Sequence, residues 1–301
     1  MAIITPVRAM SSETARKITY AGAAQTRAGR AVIRLVENAT GRLSLLRRAR
    51  GIEEELEAGR SFWQAVPDRF GLSLEVAAGD LAAIPANGPL VLVANHPFGL
   101  LDGLMMGHLL DRIRPEFRIL ANSILHGAPV VDRVVLPISF DGTPEATRQN
   151  IETRAAALRW LGQGGAVGVF PGGTVSTAPR PFARAMDPGW RHFTAKMIVK
   201  SGATVVPVYF DGQNSRLFQI ASHLHASLRL GLLLREFRAR TDAPVPVVIG
   251  TPMTAASLAP FATDPAGLMV HLRRVTYALS PQPLPSYDYG HEFEARYRSR
   301  P

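Results

Sequence analysis

One loop of the sequence carries a histidine and an aspartate at a spacing that allows general base catalysis. His96 follows an apolar run, residues 89–94, that is typical of a buried strand, and Asp102 lies at the start of an apolar helical segment. Because Pro97 and Gly99 favour a tight turn, the carboxylate can reach the imidazole. A neutral imidazole held in this way takes a proton from a hydroxyl group, and the carboxylate stabilises the imidazolium. The alternative is that Asp102 only caps the helix.

Two further loops follow predicted strands. Residues 170–176 contain adjacent glycines directly after a strand, where backbone N–H groups can face an anion or an oxyanion. The alternative for this loop is an ordinary glycine-rich turn. Residues 205–215 form a strand that ends in a polar turn, and their composition alone indicates a structural role.

The elements that must position these loops alternate along the chain from about Leu72. Apolar runs predict strands over residues 89–94, 118–121, 134–139, 166–170, 204–210 and 245–249. Helical periodicity predicts helices over residues 101–113, 144–161, 190–200, 216–240 and 265–279. This order predicts an α/β sandwich with a largely parallel sheet over residues 70–281, in which functional loops lie at the carboxyl ends of the strands. The arginines of the 216–240 helix are expected on its solvated side.

The chain before this domain, residues 1–69, is predicted to be helical and to associate with a membrane. Between residues 26 and 50, apolar side chains fall on one side of a helical projection: Val32, Ile33, Leu35, Val36, Leu43 and Leu46. On the other side lie Arg27, Arg30, Arg34 and Arg48, as an interfacial helix requires, but Arg47 and Arg50 project onto the apolar side, so the stripe holds only to about Leu46. Gly41 is expected to weaken or interrupt this helix. The alternative is an amphipathic helix packed on the protein's own core. The polar tail, residues 282–301, is expected to be loosely held.

Composition narrows the classes of partner and chemistry. The formal net charge is +10, which favours a polyanionic partner such as nucleic acid or an anionic bilayer. No zinc spacing, heptad-linked basic region or aromatic RNA-binding strand is present, so nucleic acid is not expected. The sequence shows no secretory signal and no run of about 18 apolar residues, so a membrane would be met at its surface. With no cysteine, thiolate catalysis and disulfides are excluded.

Other enzyme classes lack their motifs. No Gly-x-Ser-x-Gly motif is present, and the glycines at positions 162, 164, 165 and 168 fit neither a dinucleotide fingerprint nor a Walker loop. His223 and His225 have no third ligand at helical spacing, so we expect no metal.

Taken together, three blocks resemble a known family. They are Asn-His-Pro-x-Gly-x-x-Asp-Gly at residues 95–103, Phe-Pro-x-Gly at 170–173 and Val-Pro-Val at 206–208. Their order resembles the lysophosphatidic-acid (glycerolipid) acyltransferase family, nearest its hemolysin-like, lyso-ornithine-lipid (aminolipid) branch, over roughly residues 72–252. The resemblance implies an α/β acyltransferase domain that needs no cofactor. It makes His96 the base that deprotonates an acceptor hydroxyl and Asp102 its partner, with the acyl thioester on acyl carrier protein or coenzyme A.

The resemblance also implies contacts to the oxyanion, the acyl chain or the head group. The residues at these positions are Asn95, Gly99, Pro171, Gly172, Gly173, Thr174 and Ser176. Two departures concern the block that usually reads Phe-Pro-Glu-Gly-Thr-Arg-Ser, where this chain has Gly172 for the glutamate and Val175 for the arginine. That arginine is expected to hold the acceptor phosphate, so its loss leaves room for an amino-acid head group. Arg180 and Arg184 are the candidates to replace it. Five residues rather than the usual four separate His96 from Asp102, as in the hemolysin-like branch.

The sequence therefore predicts an O-acyltransferase bound peripherally at the cytoplasmic face of the inner membrane. Its acceptor would be a lyso-aminolipid or lysophosphatidic acid. The alternatives are an acyl-thioester hydrolase, in which His96 activates water, and a non-enzymatic basic protein that binds lipid or nucleic acid.

Overall fold

Helices come first in the chain, and strands alternate with helices after them. The computed structural model describes residues 19–24, 26–122, 129–139, 143–294 and 297. The first helices are α1 (Arg27–Thr40), α2 (Arg42–Arg48), α3 (Ile52–Glu57) and α4 (Phe62–Arg69). The strands are β1 (Ser73–Ala78), β2 (Leu90–Ala94), β3 (Arg118–Asn122), β4 (Val135–Ile138), β5 (Ala166–Val169), β6 (Thr204–Phe210) and β7 (Pro244–Ile249). The later helices are α5 (Leu100–Asp111), α6 (Pro129–Val134), α7 (Pro144–Gly162), α8 (His192–Ser201), α9 (Arg216–Leu224), α10 (Ala226–Arg238), α11 (Ala255–Leu258) and α12 (Pro265–Ala278). Short 3-10 turns lie at Ala21–Ala23, Leu81–Ala83 and Ala259–Phe261.

The seven strands form one sheet in the order β1-β7-β6-β2-β5-β3-β4. Every neighbouring pair is parallel except β6 and β7. The predicted α/β sandwich with a largely parallel sheet is therefore confirmed. β2 lies between β5 and β6, so the loops after these three strands meet at one edge of the sheet.

Alternation along β2 divides the core into two layers. Leu90, Leu92 and Ala94 pack in one layer with α4, α5 and α10, whereas Val91 and Val93 pack in the other with α7, α8 and α12. All five side chains of this strand are buried, because helices cover both faces of the sheet.

Four elements differ from the prediction. β1 was missed because its exposed edge position leaves it without an apolar run, and the short helices α6 and α11 were also missed. The predicted helix over residues 216–240 is two helices, because His225 takes an extended conformation between them. The His225 ring then caps α10, since its Nδ1 accepts the Ser227 N–H at 3.0 Å.

The N-terminal helices pack on the α/β domain, so no packing boundary falls at residue 69. The α4 residue Trp63 lies against Gly107 of α5, where an added Cβ would come within 2.0 Å of the indole. Gly41, with φ of 155°, separates α1 from α2. In α1, Ile33 is buried against α10, whereas Leu35 is 71% exposed. Some apolar side chains of α1 therefore lie outside the surface through which this helix packs on the protein.

The predicted loose tail is held in place over part of its length. Arg273 donates to the carbonyls of Tyr287 (2.7 Å) and Asp288 (2.9 Å), and the Gly290 N–H donates to the Asp187 carbonyl at 2.9 Å. Arg191 pairs with Glu292 at 2.8 Å. Residues 1–18 of the predicted N-terminal segment, and residues 295–296 and 298–301 of the tail, lie outside the described residues. In the described part of the chain, every helix is too short or too polar to cross a membrane.

Candidate active site

His96 and Asp102 are brought together at the carboxyl end of β2. His96 Nδ1 lies 2.9 Å from Asp102 Oδ2. The aspartate is fully buried, and the imidazole is 18% exposed. The ring of Phe170, at the end of β5, stacks on the imidazole with 4.3 Å between ring centroids. Because Nδ1 faces the carboxylate, Nε2 is the ring nitrogen left for a substrate proton.

Asp102 performs both of the roles that the sequence left open. Its Oδ2 accepts the N–H groups of Phe98 (2.8 Å) and Gly99 (2.9 Å), so it caps the start of α5 as well as contacting His96. Gly99 takes a φ of 89°, which a glycine adopts without strain. Burial raises the pKa of the Asp102 carboxyl above its ordinary value, although His96 and the two amides act in the opposite direction. The carboxylate is thus held by local contacts in a dry environment.

Asn95 is committed to the sheet rather than to a substrate. Its Nδ2 donates to the Phe210 carbonyl at 2.9 Å, and its Oδ1 accepts the Phe210 N–H at 2.8 Å. The side chain therefore joins the end of β2 to the end of β6. This geometry does not support the predicted contact of Asn95 with an oxyanion or a head group.

Asp187 is a buried carboxylate at this site that sequence reasoning missed. It accepts hydrogen bonds from the His96 N–H (3.2 Å), the Ser176 hydroxyl (2.5 Å) and Trp190 Nε1 (2.8 Å). Ser176 also donates its N–H to the His96 carbonyl at 2.7 Å. The peptide groups on both sides of His96 are thus fixed by a loop about 90 residues later in the chain. Ser176, predicted to contact substrate, is instead used in this fixation.

A cavity of about 760 Å³ opens beside His96. Of the predicted contact residues, Gly99, Pro171, Gly173 and Thr174 line it, whereas Asn95, Gly172 and Ser176 are not among its lining residues. One part of the wall is apolar, with side chains from Leu100, Ile119, Leu120, Ile138, Val169 and Phe193. Another part is basic, with Arg154, Arg191, Lys196 and Arg229. The cavity therefore offers surfaces for both an acyl chain and anionic groups.

The predicted replacement arginines do not reach this cavity. Arg180 and Arg184, both within the described residues, are absent from its wall, and Arg184 donates to the Tyr209 hydroxyl at 3.0 Å. The buried cation in the wall is Arg229 of α10, which was expected on a solvated face. Its Nη2 donates to Thr174 Oγ1 (3.1 Å) and to the Val175 carbonyl (2.9 Å). Its position depends on the break at His225, which the periodicity of the sequence did not reveal.

The histidines considered as metal ligands have other partners. His223 Nε2 lies 2.9 Å from the Ala178 carbonyl, and His225 caps α10. Within the described ranges, no three histidine, aspartate or glutamate side chains gather in a way that could hold a metal ion.

Comparisons with known proteins show what part of this chain is similar to. A family model described as Acyltransferase matches residues 76–211. A lyso-glycine lipid O-acyltransferase from Phocaeicola vulgatus is 24% identical over 163 residues, which are 54% of this chain and 55% of that protein. A second protein of that name, from Bacteroides thetaiotaomicron, is 24% identical over 172 residues, which cover 55% and 58% of the two chains. The match thus spans less than two thirds of either relative. The crystal structure of the 1-acyl-sn-glycerophosphate acyltransferase PlsC from Thermotoga maritima matches with a TM-score of 0.47 and 17% identity, covering 82% of this chain and 92% of that one.

The matched region begins within β1 and ends just after β6, so it contains both loops that frame the cavity. The dyad of the first loop and the glycine-rich turn of the second lie inside it. Residues 76–211 of this chain are thus similar to the Acyltransferase family.

Proposed function

We propose that this chain transfers a fatty acyl group from a thioester to the hydroxyl of a lysolipid. The observation that carries the proposal is the 2.9 Å contact of His96 with a buried carboxylate, beside a cavity that is lined by both apolar and basic side chains. A histidine so held is a general base, and such a cavity suits an amphiphilic acceptor.

In the proposed reaction, His96 Nε2 takes the proton from the acceptor hydroxyl. The hydroxyl oxygen attacks the thioester carbonyl carbon, the carbon–sulfur bond breaks, and the imidazolium returns the proton to the leaving thiolate. Asp102 stabilises the imidazolium between these two transfers. No acyl-enzyme is required, in keeping with a chain that has no cysteine.

The oxyanion needs a donor in the glycine-rich turn. The Gly173 N–H is already donated to the Phe170 carbonyl at 3.0 Å. Thr174 is the next residue and lines the cavity, so its N–H is the backbone donor that we assign to the oxyanion. Gly172 supports the turn, since a side chain there would meet the buried Asp187.

The residues that line the cavity indicate the acyl donor and the acceptor that we propose. The apolar side chains suit a fatty acyl chain, and the exposed Arg154 and Lys196 suit the phosphate of an acyl carrier protein or coenzyme A. Val175 stands where the family pattern has an arginine. A lyso-aminolipid is therefore our preferred acceptor, with lysophosphatidic acid second, and the names of the two relatives agree with this order.

We also propose peripheral binding to an anionic membrane, at the cytoplasmic face of the inner membrane. Val32 (40% exposed), Leu35 (71%) and Leu43 (53%) are uncovered on α1 and α2, near the exposed Arg30 and Arg34. Leu35→Glu should weaken sedimentation with anionic vesicles roughly tenfold, because it removes an apolar contact and adds a repelled charge. Ile151→Glu is the matched control, since Ile151 is 59% exposed on α7. Equal binding by both variants would exclude this surface.

The decisive assay gives the purified chain a radiolabelled acyl thioester, on acyl carrier protein or on coenzyme A, with a panel of lysolipids. We expect labelled diacyl lipid from the wild type and none above background from His96→Ala. Thioester consumed without lipid product would support the hydrolase. No consumption of either donor would contradict both enzymatic functions and leave lipid or nucleic-acid binding to test.

A further inference from the structure

The lysine and arginine side chains of the cavity wall differ in how their charge is balanced. Arg191 is neutralised by Glu292 and Glu294, while Arg154 and Lys196 are exposed to water. Arg229 is only 7% exposed, and within the described residues its hydrogen-bond partners are all neutral: the Thr174, Thr177 and Ser222 hydroxyls and the Val175 carbonyl. A buried charge without a counter-ion is costly unless something in the site balances it.

Burial alone does not mark Arg229 as a binding residue. Arg114 is 6% exposed, and it donates to the carbonyls of Pro85, Gly88 and Gly164. Arg114 is absent from the cavity wall, so it serves the fold alone. Arg229 differs because it lines the cavity and because hydroxyls make up most of its partners. A hydroxyl that accepts from a guanidinium keeps its own hydrogen to donate.

The segment Thr174 to Thr177 joins Arg229 to the catalytic dyad. On one side, the Ser176 N–H donates to the His96 carbonyl, and Val175 packs where a Cβ on Gly99 would meet it at 3.1 Å. On the other side, Arg229 donates to the Val175 carbonyl. The guanidinium therefore lies just across this segment from the loop that carries the base.

We propose that Arg229 and the Thr174 hydroxyl bind the anionic group of the acceptor, a carboxylate or a phosphate of its head group. In this proposal, Arg229 takes the place of the arginine that the family pattern has at the position of Val175. This inference rests on the proposed function for the identity of the ligand. Burial lowers the pKa of Arg229 to about 9, and a bound oxyanion would reverse that shift.

The first test needs no turnover. Dodecanoylglycine presents a carboxylate and no hydroxyl, and its methyl ester is the neutral match. Titration calorimetry on the full chain should show a preference for the acid of roughly 30-fold or more, the loss expected when one partner of a buried charge pair is removed. Arg229→Met should abolish the preference and Arg229→Lys should keep part of it. Thr174→Val, which removes only a hydroxyl, should reduce it roughly three- to tenfold.

The second test uses initial rates with a carboxylate lysolipid, lysophosphatidic acid and neutral monoacylglycerol. Arg229→Met should raise KM for the two anionic acceptors roughly 30-fold more than it raises KM for the neutral acceptor, measured with the same variant. An equal loss on all acceptors would make Arg229 structural, and a raised KM for the thioester would assign the anion to the donor. Equal binding of acid and ester by the wild type would overturn the site. If the acid preference is present and lost in Arg229→Met while no transfer occurs, only the proposed function fails.

Discussion

The two loops that frame the cavity follow adjacent strands but are held in different ways. In the loop after β2, the groups that fix Asp102 are the N–H groups of Phe98, four residues away, and Gly99, three residues away. The loop after β5 is held by residues far along the chain. Gln219, 41 residues away, accepts the Ala178 N–H, and Arg229, 54 residues away, donates to the Val175 carbonyl. The contacts that hold Asp102 in the first loop are local, although Asp187 and Ser176 fix the peptide groups of His96, whereas the second loop takes its shape from α9, α10 and the tail. In the proposed function, the base thus lies on the local loop, and the binding surface lies on the assembled one.

The largest effect should come from the local loop. His96→Ala should lower kcat roughly 10²- to 10⁴-fold, because the general base is removed. The thermal midpoint should change little, since the imidazole is partly exposed and its stacking on Phe170 is one contact. His271→Ala, a change at a histidine stacked on Phe261 outside the cavity wall, is the control. Turnover of His96→Ala at the wild-type rate would remove the dyad from the mechanism.

Asp102→Asn should separate catalysis from capping. An amide oxygen can still accept the N–H groups at the start of α5, but it cannot stabilise an imidazolium. We expect kcat to fall on the order of 100-fold, within the range of a general base that has lost its support, while α5 stays folded. Initial rates and far-ultraviolet circular dichroism give both readouts. A variant that unfolds would show that the cap, and not the charge, is the main contribution of this carboxylate.

Asp187→Asn should show how far the assembled loop supports the local one. An asparagine would present an NH₂ group to at least one of the three donors, so the free energy of unfolding should fall by about 1–3 kcal/mol. With His96 less firmly held, kcat should fall about tenfold, which is less than the loss in His96→Ala. Denaturant titration and kinetics measure the two effects. Asp264→Asn, at the exposed cap of α12, is the control. Wild-type stability and rate would mean that the His96 loop is independent of its neighbour.

The smallest effect should be a pH dependence of stability. Because burial raises the pKa of folded Asp102 above its unfolded value of about 3.9, ionisation costs stability. The contribution of Asp102 is fully present below about pH 4 and is lost as pH rises through the raised folded value. Asp102→Asn does not titrate there, so the wild type should lose stability relative to the variant as pH rises. Thermal melts between about pH 4 and 8 measure the difference. An increase in the stability of the wild type relative to the variant as pH rises would contradict this prediction.

The contrast between the two loops also explains which features of the molecule could be predicted from the sequence. The dyad and the central strands were predictable, because His96 and Asp102 are six positions apart and β2 is an unbroken apolar run. Asp187 and Arg229 were not, because each reaches the site through tertiary contacts that no local spacing encodes. The break at His225 had no glycine or proline to mark it, and only the packing of α10 reveals it. Asn95 shows the opposite error, since a residue inside a catalytic motif serves the sheet.

The returning tail has a consequence for the newly made protein. Gly290 packs beside Thr177, and the ring of Phe293 lies 4.3 Å from the Arg229 guanidinium, so these late residues form a wall against Thr177 and Arg229. During translation the strands and the dyad can fold early, but this wall cannot form until Phe293 has left the ribosome. A nascent chain whose Phe293 is still inside the ribosome therefore has the dyad in place without this wall.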